Sequence, residues 1–298
     1  MKKVFLEEGS SNWWQSITKV TAIIFLSLSV FSCSKTTVDP PIPDEISQDI
    51  KDLIYFQGNE NASTVIINAQ AGPSLALDEE IVDLLFQSLG DQDILSVNVH
   101  QHQTLNPNVL FDNEITLNDG INFNAQSVDI LYNVVKYFKD QGRTVFVMGI
   151  SFGAFIVQEL IEEKGIDVAD KYFIATGRLD MNDAFWQALA EGRSGVFENG
   201  ITPVLNPEPE DTVFGRNEAR LFAGLILNRY TQRFSSIESL SDITYLYGSL
   251  DDQVGALTAE EVQFLESKNA TVLRVDTGHD VPLPLLEQGF TTAFGIQF

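Results

Sequence analysis

Chemistry is first legible in this 298-residue chain at Gly149-Ile150-Ser151-Phe152-Gly153. An apolar run, Val145-Phe146-Val147-Met148, leads in, and Ala154-Phe155-Ile156-Val157-Gln158 leads out. The first reads as a strand and the second as a helix, so Ser151 falls on a tight strand-to-helix turn. Such a turn needs small residues two positions either side of the serine. Larger ones collide with neighbouring chain, and the turn lifts the hydroxyl clear of the backbone. The amino end of the following helix adds unpaired N–H groups and a positive dipole end. The alternative for Ser151 is a buried structural serine on a turn. A serine hydroxyl is a poor nucleophile until a histidine takes its proton, and a carboxylate must hold that imidazole in the correct tautomer. The chain has three histidines, His100, His102 and His279. His100 and His102 stand two apart at the end of an expected strand, so their side chains point the same way. That spacing suits a His-x-His metal hydrolase, or else a pocket-lining or loop position. No His-Glu-x-x-His and no third nearby histidine accompanies them, so no metal ligand is expected. Gly-x-Gly-x-x-Gly and the phosphate-loop pattern are also absent.

The serine turn, with its strand and helix, resembles that of the α/β-hydrolase superfamily, over roughly residues 50–298. That family runs serine, then acid, then histidine. Tyr247-Gly248-Ser249-Leu250-Asp251-Asp252-Gln253-Val254 is similar to its Gly-x-x-Asp-x-x-Val turn and aligns Asp251 with the acid. Asp252 is the alternative acid, with Asp251 then a helix N-cap. Asp276-Thr277-Gly278-His279 resembles the Gly-His turn that carries the base, the alternative being an exposed loop histidine. The family builds an oxyanion hole from two backbone N–H groups. One would be that of Phe152. The other would come from Ala69-Gln70-Ala71-Gly72-Pro73, which is similar to a His-Gly-Gly-Pro loop with Gln70 and Ala71 replacing its first two residues. Gly72 is the candidate donor there, since Pro73 has no N–H. The resemblance implies a serine hydrolase that cleaves a carboxylic ester or related acyl bond through an acyl-enzyme, with no cofactor and no metal. Ester, thioester and short-peptide substrates all fit. The competing class is a surface binding protein that keeps the fold without turnover, and an intact serine, histidine and acid count against it.

Elements must position these residues. Strands are expected at Leu53–Gln57, Thr64–Asn68, Ile94–Val99, Thr144–Met148, Tyr172–Thr176, Ile243–Tyr247 and Thr271–Val275. Near-continuous apolar runs of this kind suit strands covered on both faces. Helices alternate with them. One opens at Asp78 and ends at Gly90, one carries Val128, Leu131, Val134, Val135 and Phe138, and one spans Ala154–Lys164. Strand and helix in this rhythm predict a mostly parallel central sheet flanked by helices. Between residues 177 and 242 the rhythm breaks. Asp183–Ala190, a Pro- and Glu-rich hinge at Asn206–Asp211 and a helical pattern at Glu218–Arg233 read as a helical lid insertion. Its apolar residues Phe185, Trp186, Phe214, Leu221, Phe222, Leu225 and Ile226 suit helix-to-sheet packing better than a substrate site.

The 42 acidic against 18 basic residues give a net charge of −24. That balance argues against nucleic acid, whose binding depends on Lys and Arg neutralising phosphates. A single cysteine excludes an intrachain disulfide and four-cysteine zinc sites. Lys2, Lys3 and Lys19 precede an apolar run, Val20–Phe31, interrupted by Thr21, Ser27 and Ser29. It is shorter than the ~20 residues a membrane span needs, and it suits an export signal. The run ends in Val30-Phe31-Ser32-Cys33, which resembles the lipobox of bacterial lipoproteins. That resemblance implies cleavage after residue 32 and lipid on Cys33; the alternative is a non-lipidated export signal or an N-terminal arm. Residues 33–50, with Pro40, Pro41 and Pro43, read as a tether, and residues 51–298 as the hydrolase domain. The expected location is the cell envelope, anchored by lipid in the outer membrane or facing the periplasm, or else secretion. The membrane is then the one partner expected besides substrate.

Overall fold

Apolar and β-branched runs set the central sheet. The computed structural model describes residues 46–77, 89 and 92–297. The expected export signal, Cys33, most of the tether and nearly all of the helix expected from Asp78 lie outside these residues.

A single helical turn, α1 (Gln48–Lys51), precedes β1 (Ile54–Gly58) and β2 (Thr64–Ala69). Then come β3 (Ile94–Val99), α2 (Leu117–Asp140), β4 (Thr144–Ile150), α3 (Phe152–Lys164) and β5 (Lys171–Ala175). The seven strands of the main sheet lie in the order β1-β3-β2-β4-β5-β8-β9, where β8 is Ile243–Gly248 and β9 is Thr271–Val275. β1 runs antiparallel to β3, Ile54 facing Val99, and every other pair is parallel. The side-chain period of two explains why the central strands read as unbroken apolar runs. Val65, Ile67, Val145, Val147, Tyr172 and Ile174 face one layer, which α2 and α3 cover. Ile66, Phe146, Met148, Phe173 and Leu246 face the other, against Leu286, Phe290 and Phe294 of α8 (Leu283–Phe294). Between β8 and β9 lies α7 (Ala259–Ser267), started by a capping box of Thr258 and Glu261.

The segment between β5 and β8 differs in detail from the sequence expectation. It contains α4 (Asp183–Ala190), as expected, and then an antiparallel hairpin of β6 (Arg193–Glu198) and β7 (Thr202–Pro209). The expected hinge at Asn206–Asp211 is therefore mostly strand. Pro203, Pro207 and Pro209 are tolerated because a two-stranded ribbon leaves each strand one unpaired edge. The expected helix Glu218–Arg233 is two. α5 (Val213–Ile226) begins earlier, capped by Thr212 Oγ1, which accepts the Gly215 N–H at 3.0 Å. After a break at Leu227 to Arg229, α6 (Tyr230–Arg233) follows. Among the described residues no helix is long and apolar enough to cross a membrane.

Parallel strands deliver their carboxyl ends to one edge of the sheet, where ligands of such folds bind. β4, β8 and β9 end there, just before Ser151, Asp251 and His279.

Candidate active site

Ser151 stands between β4 and α3 with φ 55° and ψ −121°. A non-glycine residue in that region is strained and persists only where the surroundings hold it. Its N–H donates to the Ala175 carbonyl at 3.0 Å and lies 3.2 Å from Thr176 Oγ1, so the end of β5 pins the turn. The flanking glycines are steric necessities. A Cβ on Gly149 would lie 2.3 Å from the Gly153 carbonyl oxygen, and one on Gly153 would lie 2.1 Å from that of Ala69.

The His279 ring bridges Ser151 and Asp251. Its Nε2 is 2.8 Å from Ser151 Oγ, and its Nδ1 is 2.9 Å from Asp251 Oδ2. With the ring proton on Nδ1, the imidazole donates to the carboxylate and accepts from the hydroxyl. Asp251 is 1% exposed. Its other oxygen, Oδ1, accepts the N–H groups of Gln253 and Val254, each at 2.9 Å. The three donors on its two oxygens offset the cost of taking the carboxylate out of water. Oδ1 thus closes the turn while Oδ2 meets the histidine. No helix begins at Asp251, since α7 starts at Ala259 behind its own cap, Thr258, so the helix N-cap alternative for Asp251 does not hold. The neighbouring Asp252 is exposed, and its backbone carbonyl accepts the Phe197 N–H at 2.7 Å.

A cavity of about 390 Å³ opens over Ser151. Gly72, Pro73 and Phe152 line it on the sheet side. Phe152 is the first residue of α3, so its N–H has no acceptor within the helix. Of the seven apolar residues singled out between 177 and 242, Phe185 and Phe222 line the cavity. Leu221, Leu225 and Ile226 are buried in the main core instead. Phe214 stacks on Phe111 with ring centres 4.8 Å apart, and Trp186 Nε1 donates to Asp183 at 3.1 Å.

Three charged residues that sequence reading passed over, Arg193, Glu210 and Glu218, also line the cavity. Arg193 pairs with Glu191 at 2.9 Å. Burial, and secondarily the like charge of Glu210, holds the Glu218 carboxyl above the usual carboxylate range. Thr176 was expected only as the last residue of a strand, which in fact ends at Ala175. A threonine after a strand carries no distinctive sequence signal, yet its φ of 49° and its place beside the Ser151 N–H make it part of the turn.

The strand geometry expected to align His100 with His102 is not there. β3 ends at Val99 and His102 opens a 3₁₀ turn, so strand alternation does not govern them. His100 is buried, with Nδ1 3.0 Å from the Leu53 carbonyl. His102 stacks on Phe123, and burial holds its imidazole below the usual histidine range. Among the described residues no group of three or more His, Cys, Asp or Glu could hold a metal ion.

No family model matches the sequence, and no curated protein matches it. Solved structures do match. A protein of Thermus thermophilus, TT1662, is 14% identical, with 80% of this chain and 90% of that one covered and a TM-score of 0.51. MGS-M2, an α/β hydrolase enzyme from a Medee basin deep-sea metagenome library, is 12% identical over 82% and 93% of the two chains, TM-score 0.51. Est1E of Butyrivibrio proteoclasticus, solved with ferulic acid bound, is 14% identical over 82% and 94%, also with a TM-score of 0.51. At such identities the likeness is one of fold, and the fold of this chain is that of the α/β hydrolases.

Proposed function

We propose that this α/β-hydrolase-fold chain is a serine hydrolase that cleaves a carboxylic ester or a related acyl bond through an acyl-enzyme. The observation that carries the proposal is the His279 ring held between Ser151 Oγ at 2.8 Å and Asp251 Oδ2 at 2.9 Å. In the first step Ser151 Oγ bonds to the substrate carbonyl carbon while its proton passes to His279 Nε2. The carbonyl π pair moves onto oxygen, where the N–H groups of Phe152 and Gly72 receive it. Collapse re-forms the carbonyl and breaks the bond to the leaving group, which departs with the proton from Nε2. Water then repeats the sequence on the acyl-enzyme, giving the acid and free Ser151. Asp251 holds the ring in the tautomer both steps need and stabilises the imidazolium between them.

A fluorophosphonate tests this most directly, because a serine activated by histidine is abnormally nucleophilic while an ordinary one is inert. The expected result is a single label on the tryptic peptide holding Ser151. Ser151→Ala should abolish both labelling and hydrolysis of short p-nitrophenyl esters, with circular dichroism unchanged. A folded protein that neither labels nor turns over, with or without mild detergent, would be a binding protein on a hydrolase scaffold.

On the sequence alone we also propose that Cys33 carries lipid and that residues 33–50 tether the domain to a cell-envelope membrane.

A further inference from the structure

The loop that carries Gly72 is held by side chains rather than by a backbone ladder. The Gln70 N–H reaches the Val99 carbonyl at 3.0 Å and continues the pairing of β2 with β3. Beyond it, among the described residues, no backbone-to-backbone hydrogen bond ties down residues 71–74. Gln101, two residues past the end of β3 and 3% exposed, takes over. Its Oε1 accepts the Ser74 N–H at 2.5 Å, and its Nε2 donates to the Gln70 carbonyl at 2.5 Å. One planar amide therefore clamps the loop on both sides of Gly72.

The clamp is itself oriented. Gln103 Nε2 donates to Gln101 Oε1 at 3.1 Å, which fixes which end of the Gln101 amide is oxygen. Thr104 Oγ1 donates to the Ser74 carbonyl at 3.1 Å, and Asn98 Nδ2 donates to Gln70 Oε1 at 2.8 Å. Only a side chain with one donor and one acceptor at this spacing satisfies both ends of the loop. A carboxylate has no donor for the Gln70 carbonyl, and an aliphatic chain has neither group. Gln101 does not line the cavity that Gly72, Pro73, Ser151 and Phe152 share, so whatever it does there it does through the loop.

We propose, resting on the serine-hydrolase reading above, that Gln101 is the positioning residue of the oxyanion hole: its amide fixes the Gly72 N–H where charge develops on the substrate oxygen. Donors of this kind act by being in place before charge appears, and a misplacement of about 1 Å can cost ~100-fold in rate.

The experiment compares, in the full-length protein, an ester with the matching thionoester, whose C=S sulfur is a weak hydrogen-bond acceptor. Gln101→Met removes both clamp bonds, while Gln101→Glu keeps an acceptor for the Ser74 N–H and sets oxygen against the Gln70 carbonyl. In each, kcat for the ester should fall ~10–100-fold with KM within about twofold, as expected for a displaced oxyanion donor. The thionoester should fall less, so that the ester-to-thionoester ratio of kcat/KM shrinks about tenfold. Equal falls on the two substrates, or no fall, would overturn the positioning role, and the Gln101→Glu variant carries the same ratio if Gln101→Met does not fold. A wild-type protein that neither labels with fluorophosphonate nor turns over either substrate would instead remove the serine-hydrolase reading, and this role with it.

Discussion

Two adjacent aspartates end up in opposite circumstances because the turn after β8 points one inward and one outward. Asp251 is buried with every lone pair of consequence engaged, while Asp252 is exposed and contributes only its backbone carbonyl. In Asp251→Asn the side chain can no longer accept from the ring and from both backbone N–H groups at once. We expect kcat for p-nitrophenyl acetate to drop by ~10³–10⁴, by analogy with loss of the orienting carboxylate in a serine protease. Asp252→Asn should stay within about twofold, and initial rates with the two purified variants decide the matter; the reverse order would move the acid to Asp252. Spacing alone left these two residues open, because the direction of a side chain on an irregular turn is set by what packs around it. The serine was legible for a different reason. Gly149 and Gly153 are demanded by carbonyl oxygens of residues close in sequence or on the adjoining strand, so local pattern carries the constraint. Gln101 had no such signal: a glutamine after a strand is ordinary, and its partner Ser74 lies 27 residues away.

At the scale of elements, α5 shows how one helix serves two environments. Leu221 and Leu225 point into the core, while Glu218 faces the cavity beside Glu210. The folded protein holds the Glu218 carboxyl above its ordinary range, so folding favours its protonated form. The resulting stability is fully present below the ordinary glutamate range and is lost as pH rises through the higher folded value. Glu218→Gln should therefore melt close to wild type near pH 4 and increasingly above it toward pH 7, in thermal melts followed by circular dichroism. A difference that narrows as pH rises would contradict this. The strands of the sheet were readable because burial on both faces leaves a run of apolar residues that little else produces. The hairpin β6–β7 was not. β7 is mostly exposed and contains three prolines and a glutamate, so neither hydrophobic alternation nor propensity distinguishes it from a linker. The split between α5 and α6 was hidden for a related reason, since Leu227-Asn228-Arg229 has no proline or glycine to announce a break.

At the scale of the whole molecule, a charge of −24 bears on how the chain meets a membrane. Anionic lipid surfaces attract polybasic segments and offer nothing to an acidic domain. Any attachment must then come from buried hydrocarbon, at ~0.8 kcal/mol per methylene, with two or more chains needed for stable anchoring. Detergent phase partitioning of the expressed full-length protein should place the wild type in the detergent phase and Cys33→Ala in the aqueous phase. An unmodified, aqueous wild type, by mass spectrometry and partitioning, would end the anchor proposal. A last consequence follows from where His279 is carried. β4 and its serine sit mid-sheet with a neighbour on each side, but β9 is a border strand, paired among the described residues with β8 alone and half-covered along its length. Fraying at such a border takes less free energy than global unfolding. If the serine-hydrolase proposal holds, local opening of this border would carry His279 away from Ser151 while the rest of the sheet stays intact, and activity would be lost before the core unfolds.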